Sequence, residues 1–320
     1  MFEKLNWLLM VLPFALWGTA MAAMAPLVIS GGPELVATLR LLPAGIAILL
    51  AAFCLKRPLG IARIDMGWFL VFCLIDGSLF QFCLARGLVG TGAGLGSVFI
   101  DSQPLIVALL ARTLFGDPIN PIGWIGLTLG IGGIVCIGVS PKILGHWFLM
   151  RNEVFDLQLF GQGQGWMLIA ALAMALGTVL IRFTCQESDP VAVTGWHMIL
   201  GSFPLAISHF LDSGRPFLPD WSLNDWSLMA YSTFLGSALA YGLFFWFASR
   251  KELTSFSTLA FLTPVFALLS GGIWLGERLN LIQWFGVFFV LLSVFLVSQR
   301  SLLWNPLYNS ESDLPKELPG

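Results

Sequence analysis

Apolar residues come in long blocks along this chain, not in alternating pairs or narrow helical stripes. Runs near 5–28, 33–55, 66–87, 91–115, 119–140, 164–186, 190–211, 224–249, 255–275 and 280–299 are separated by short charged or Gly/Pro-rich breaks. A hydrocarbon layer of roughly 30 Å is crossed by about 20 helical residues, so each run has membrane-spanning length. No water reaches that depth, and a helix bonds every backbone group within itself, so the runs are expected to be helical. The strands of a membrane barrel would alternate in polarity, which these runs do not. The pattern predicts an all-α polytopic membrane protein with ten transmembrane helices.

The second half repeats the first at a separation near 160 residues. Pro104 pairs with Pro264, Gly116 with Gly276, Asp117 with Glu277, Asn120 with Asn280, Trp124 with Trp284 and Gly126 with Gly286. Small gaps shorten the separation upstream, where Gly18-Thr19 meets Gly177-Thr178, Pro33 meets Pro190, and Arg40 meets His197. Five crossings per half is an odd number, so the second copy enters the bilayer from the opposite side. Two inverted five-helix repeats are the construction that lets one half rock against the other in alternating access. The expected units are 1–140, an extracytoplasmic linker at 141–163, a second repeat at 164–300 and a disordered cytoplasmic tail at 301–320.

Composition agrees with this reading: 57% of residues are hydrophobic and only 11% charged, with a mean hydropathy of +0.85. A net charge of −2 leaves no basic stripe for nucleic acid. With the N-terminus inside, the cytoplasmic side collects Lys4, Lys56, Arg57, Arg63, Arg112, Arg182, Arg250, Lys251, Arg300 and Lys316. The other side collects Arg86, Lys142, Arg151, Arg215 and Arg278. That asymmetry predicts a cell (inner) membrane protein with both termini cytoplasmic. The first run resembles a signal peptide ending at Ala20-Met21-Ala22, but it continues to Ile29 and has a counterpart in the second half, so a retained helix is expected. The cysteines all fall in apolar runs without C-x-x-C spacing and read as small core residues.

An ionisable residue at mid-span costs roughly 2.5–3.5 kcal/mol on insertion scales and needs a partner or a task. Arg40, Asp76 and Asp101 are such residues. Asp101 shares a helix face with Ser97 and Pro104, and the proline breaks the helix beside the carboxylate, an arrangement that builds solute or cation sites in transporters. The plainer alternative is an ion pair of Arg40 with Asp76 or Asp101. The candidate solute-binding residues are Trp17, Arg40, Ser97, Asp101, Gln103, His197, Tyr241 and Thr263. Asp76 and Asp101 are candidates for a coupling ion, and Pro104 and Pro264 for paired helix breaks. The expected cavity lies between the halves, walled by the third, fourth, eighth and ninth helices, with the first closing one side. Gln81 and Trp196 are further amide and aromatic candidates, though Trp and Tyr also serve as interface anchors. The glycine run Gly90, Gly92, Gly94, Gly96 reads as close helix contact or a flexible entrance.

These motifs also resemble the EamA-type transporters of the drug/metabolite transporter superfamily. The resemblance rests on Leu16-Trp17-Gly18-Thr19, Arg40 and the Pro264…Leu275-Gly276-Glu277-Arg278-Leu279 run, and covers about residues 5–300. Within the superfamily, Asp101-Ser102-Gln103-Pro104-Leu105, Asp189-Pro190 and Thr194-Gly195-Trp196-His197-Met198 are similar to a branch shared by cyanobacteria and plant chloroplasts. The first half carries Gly116-Asp117-Pro118 where that family usually has Gly-Glu-Arg. The resemblance implies export or exchange of small organic metabolites such as amino acids, with no cofactor or metal. A solute and the bilayer are then the partners, and protons and a second copy of the chain stay open. A membrane-embedded enzyme or a channel is the rival, but the sequence has no H-E-x-x-H, G-x-S-x-G or nucleotide-binding motif.

Overall fold

The computed structural model describes residues 2–138, 162–211, 219–251, 253–267, 269, 281–300 and 303–304. Twelve α-helices follow in order: α1 (Phe2–Gly31), α2 (Pro33–Cys54), α3 (Met66–Phe72), α4 (Gln81–Ile100), α5 (Gln103–Phe115), α6 (Pro121–Gly138), α7 (Gln162–Thr184), α8 (Pro190–Leu211), α9 (Leu223–Thr233), α10 (Ala240–Ala248), α11 (Leu253–Ser257) and α12 (Leu281–Ser298). A π-helical turn, Cys73–Phe80, joins α3 to α4, a second, Phe234–Leu239, joins α9 to α10, and a 3-10 turn, Thr258–Leu262, follows α11. The protein is all-α and polytopic. Six described spans are long and apolar enough to cross a membrane, and four shorter apolar helices accompany them.

Helix ends follow local chemistry. Pro33 and Pro190 open α2 and α8 at positions where a missing N–H costs nothing, and Asp189 Oδ1 accepts from Val191 N at 2.9 Å. Ser222 and Asp225 form a capping box at the start of α9. The expected fourth span is interrupted: α4 ends at Ile100, a turn holds Asp101 and Ser102, and α5 restarts with Pro104 in its first turn. At the matching place in the second half, the 3-10 turn ends just before Thr263 and Pro264.

Packing pairs the helices reciprocally. α2 lies along α8 and α6 along α12, while α4 packs on α7 and α1 on α10. Small residues set these approaches. A β-carbon on Gly45 of α2 would come within 2.7 Å of the Gly195 carbonyl of α8, and one on Gly201 within 2.5 Å of the Gly77 backbone. Gly90 touches Gly163 in the same manner, which gives the glycine run its close-contact role, and Gly92 kinks α4 at φ 68°. Outward-facing Leu50, Phe53, Leu74, Phe203, Phe210, Phe285 and Phe288 are exposed, as a lipid-facing surface requires.

Two expected segments fall largely outside the described residues. The linker was placed at 141–163, yet α7 already begins at Gln162; the rest of that segment lies outside the described residues. The tail at 301–320 lies outside them too, apart from residues 303–304.

Candidate functional site

The break in the fourth span leaves room beside it. A cavity there is lined by Trp17, Ala20, Met21, Arg40, Phe80, Leu84, Ile100, Asp101, Gln103, Met174, Tyr241, Ala260 and Thr263. Its wall draws on the expected first, third, fourth, eighth and ninth spans and also on α2 and α7. Of the eight solute-binding candidates, Trp17, Arg40, Asp101, Gln103, Tyr241 and Thr263 meet here.

Several polar groups of the site are held by neighbours. Arg40, 5% exposed, donates from Nη2 to Gln81 Oε1 and sets Nη1 2.8 Å from Met24 Sδ. Gln81 Nε2 in turn donates to the Tyr241 hydroxyl at 3.0 Å. This bond ties the third span to α10 beside the cavity. Trp17 packs its ring 5.0 Å from that of Tyr241. Beside it, Gly18 lets α1 approach the Thr263 carbonyl, where a β-carbon would stand at 2.5 Å, and Thr19 shares a 2.5 Å hydrogen bond with Tyr231. Gln103 Nε2 donates to Thr178 Oγ1 at 2.9 Å, and Thr178 Oγ1 donates in turn to the Met174 carbonyl at 2.8 Å.

Four polar atoms of the wall find no protein partner among the described residues: Trp17 Nε1, Arg40 Nε, Asp101 Oδ2 and Thr263 Oγ1. A buried polar atom left unpaired costs about 1–3 kcal/mol, so four among the residues of one wall are candidates to bind a solute or water.

The structure separates other candidates from this cavity. Ser97 is buried one turn before Asp101 but is not on the wall. His197 and Asp76 are also off it, and the expected pairing of Asp76 with Arg40 is corrected: Asp76 Oδ2 faces His197 Nε2 at 3.1 Å. The π turn aims Asp76 at α8, while Arg40 lies beyond Gln81. Arg40 makes no ion pair with Asp101 among the described residues. Trp196 is partly exposed and ties down the α2–α3 loop by donating to Leu59 O at 2.9 Å. Sequence reasoning passed over Met21, Phe80, Leu84, Ile100 and Met174, which look like any lipid-facing residue until the packing is known.

Charged groups pin both ends of the bundle. On one side Arg86 Nε donates to Glu34 Oε1 at 2.6 Å. On the other, Arg57 binds Asp189 Oδ2 at 2.6 Å and lies over Trp246, whose ring also takes Arg250 at 3.5 Å. Asp65 Oδ2 accepts from the backbone of Glu187 and Ser188 at 3.0 and 2.7 Å.

Comparison with known proteins decides what kind of molecule carries this cavity. Residues 5–139 and 161–299 match the EamA-like transporter family. The chain belongs to that family. The transporter is 48% identical over 303 residues to "Uncharacterized transporter sll0355" of Synechocystis sp., covering 92% of this chain and 90% of that one. It is 40% identical over 299 residues to "WAT1-related protein At3g02690, chloroplastic" of Arabidopsis thaliana, covering 92% and 69% respectively. A solved crystal structure superposes with a TM-score of 0.72 over 95% of this chain and 99% of the other, at 15% identity, which bears on the fold alone. The transporter is therefore a multi-pass membrane protein that handles a small solute in the bilayer, and not an enzyme.

Proposed function

We propose that this transporter exports or exchanges small zwitterionic metabolites, amino acids among them, by alternating access of its central cavity. Four unpaired polar atoms on one cavity wall carry the reading: two N–H donors, one on a guanidinium, together with a carboxylate oxygen and a hydroxyl. A solute carboxylate suits Arg40 and a solute ammonium suits Asp101, with Trp17 and Tyr241 offering apolar faces between them. The reciprocal helix pairing, and a family match that falls in two segments, support two inverted halves rocking about the Gln81–Tyr241 contact.

The purified protein in liposomes loaded with unlabelled amino acids is expected to draw in labelled ones transiently above equilibrium. A carrier gives that overshoot; a pore or a hydrolase gives none, and its absence across an amino-acid panel would reject the reading. The proposed orientation has both termini cytoplasmic. Reporter fusions after Arg63 and after Arg151 are expected to register opposite compartments, and a shared compartment would overturn it.

A further inference from the structure

Behind the cavity wall, Asp76 and His197 form a second polar centre that solute binding does not use. Both are at most 1% exposed, and Nε2 and Oδ2 stand 3.1 Å apart. His197 Nδ1 lies 2.6 Å from the Thr194 carbonyl, which can only accept, so Nδ1 carries hydrogen. Nε2 and Oδ2 therefore share one further proton, either as imidazolium facing carboxylate or as imidazole facing carboxylic acid. Losing that proton leaves a carboxylate against a nitrogen lone pair, so the pair holds or releases it as a unit.

We propose that the Asp76–His197 pair is a proton-carrying site, distinct from the solute cavity, whose loading and unloading accompanies solute movement. The coupling rests on the carrier reading above; the site itself does not.

The surroundings are built for it. Asp76 Oδ1 has no partner among the described residues and fills the space that a β-carbon at Gly177 would take, at 2.2 Å. The π turn that carries Asp76 is anchored by Ser78 Oγ donating to Gly201 O at 2.9 Å. Such turns insert one extra residue and occur often at functional sites. The same turn ends in Phe80 on the cavity wall, and Phe245 stands between His197 at 5.5 Å and Tyr241 at 5.9 Å. A change of charge on the pair is thus one layer of side chains from the solute.

The two halves also differ where it matters. The repeat counterpart of His197 is Arg40. A guanidinium keeps its charge at all working pH values, whereas an imidazole gains and loses it, so a proton site can form around His197 but not around Arg40. Few other groups compete. The π turn contributes the Cys73 thiol, α10 the Tyr241 hydroxyl, and α2 the Arg40 guanidinium beyond Gln81; α7 presents Gly177, α8 the Thr194 carbonyl and α3 the ring of Phe72 at 4.4 Å.

Infrared difference spectra of the reconstituted protein test the site directly. A carboxylic C=O band that shifts in D₂O, or an imidazolium ring band, is expected to grow as pH falls. Asp76→Asn should remove the carboxylic band or weaken the imidazolium band, and His197→Gln should remove the imidazolium band or change the pH dependence of the carboxylic one. Asp76→Glu keeps the acid and should retain a shifted band, which covers the case in which Asp76→Asn fails to fold. The same pH-dependent bands in Asp76→Asn as in wild type, or no pH-dependent band of either kind, overturns the site.

Coupling is read with a trapped pH dye during uptake of a labelled amino-acid mixture. Wild type should move protons with solute, and Asp76→Asn should lose proton movement while keeping equal-pH exchange within about 3-fold. Exchange without proton movement in wild type overturns the coupling. A wild type that exchanges none of the mixture counts against the solute reading instead, and the infrared result then stands alone.

Discussion

Asp101→Asn is expected to slow exchange of a zwitterionic solute between about 10- and 150-fold, the range set by losing a charge-assisted hydrogen bond of about 1.5–3 kcal/mol. The substitution keeps the shape of a 3% exposed side chain in the turn between α4 and α5 and removes only its charge. Asn can still accept at one oxygen, so folding should survive; size-exclusion profiles of the purified variant check this. Counterflow at equal pH on both sides is the measurement, because it does not depend on any ion gradient. Full activity in Asp101→Asn would show that the carboxylate does not touch solute, and the site assignment would fall with it. Loss confined to gradient-driven uptake would make Asp101 an ion site instead.

Arg40→Ala is expected to be more severe, with exchange falling at least about 100-fold, because one truncation has two effects. It removes the group proposed to take the solute carboxylate, and it frees Gln81 Oε1, which then has lost its donor beside Tyr241. Arg40→Lys separates the two. A lysine restores a positive charge but not the planar fork that reaches Gln81 and the Met24 sulfur together, so recovery should stay within about 10-fold of the alanine variant. Near-normal exchange in Arg40→Lys would mean that charge alone suffices, and near-normal exchange in Arg40→Ala would remove Arg40 from the site.

Much of the fold could be read in the sequence because bilayer physics is severe: backbone groups must be satisfied inside each run, so apolar length becomes helix. The broken fourth span was legible for the same kind of reason, since Pro104 cannot donate a hydrogen bond. Polar residues in apolar runs are rare enough that Arg40, Asp101, Gln103 and Tyr241 stood out, and they share one cavity. Pairing was not legible. Asp76 and His197 lie 121 residues apart, and Arg40 was an equally good partner by charge; only the extra residue of the π turn settles which way Asp76 points, and that insertion leaves the hydrophobic pattern unchanged. The apolar wall was invisible because Phe80, Leu84 and Met174 satisfy the same pattern whether they face lipid, a neighbour or a solute.

The unlike repeat partners Arg40 and His197 bear on how such a chain can differ between its halves. In a dimer of identical half-length chains, both copies carry the same residue at every matching position. Covalent fusion of the halves removes that constraint, because each copy can then mutate alone. Asp76 of the first half can thus face an imidazole of the second, while Arg40 keeps a fixed cation at the position matching His197.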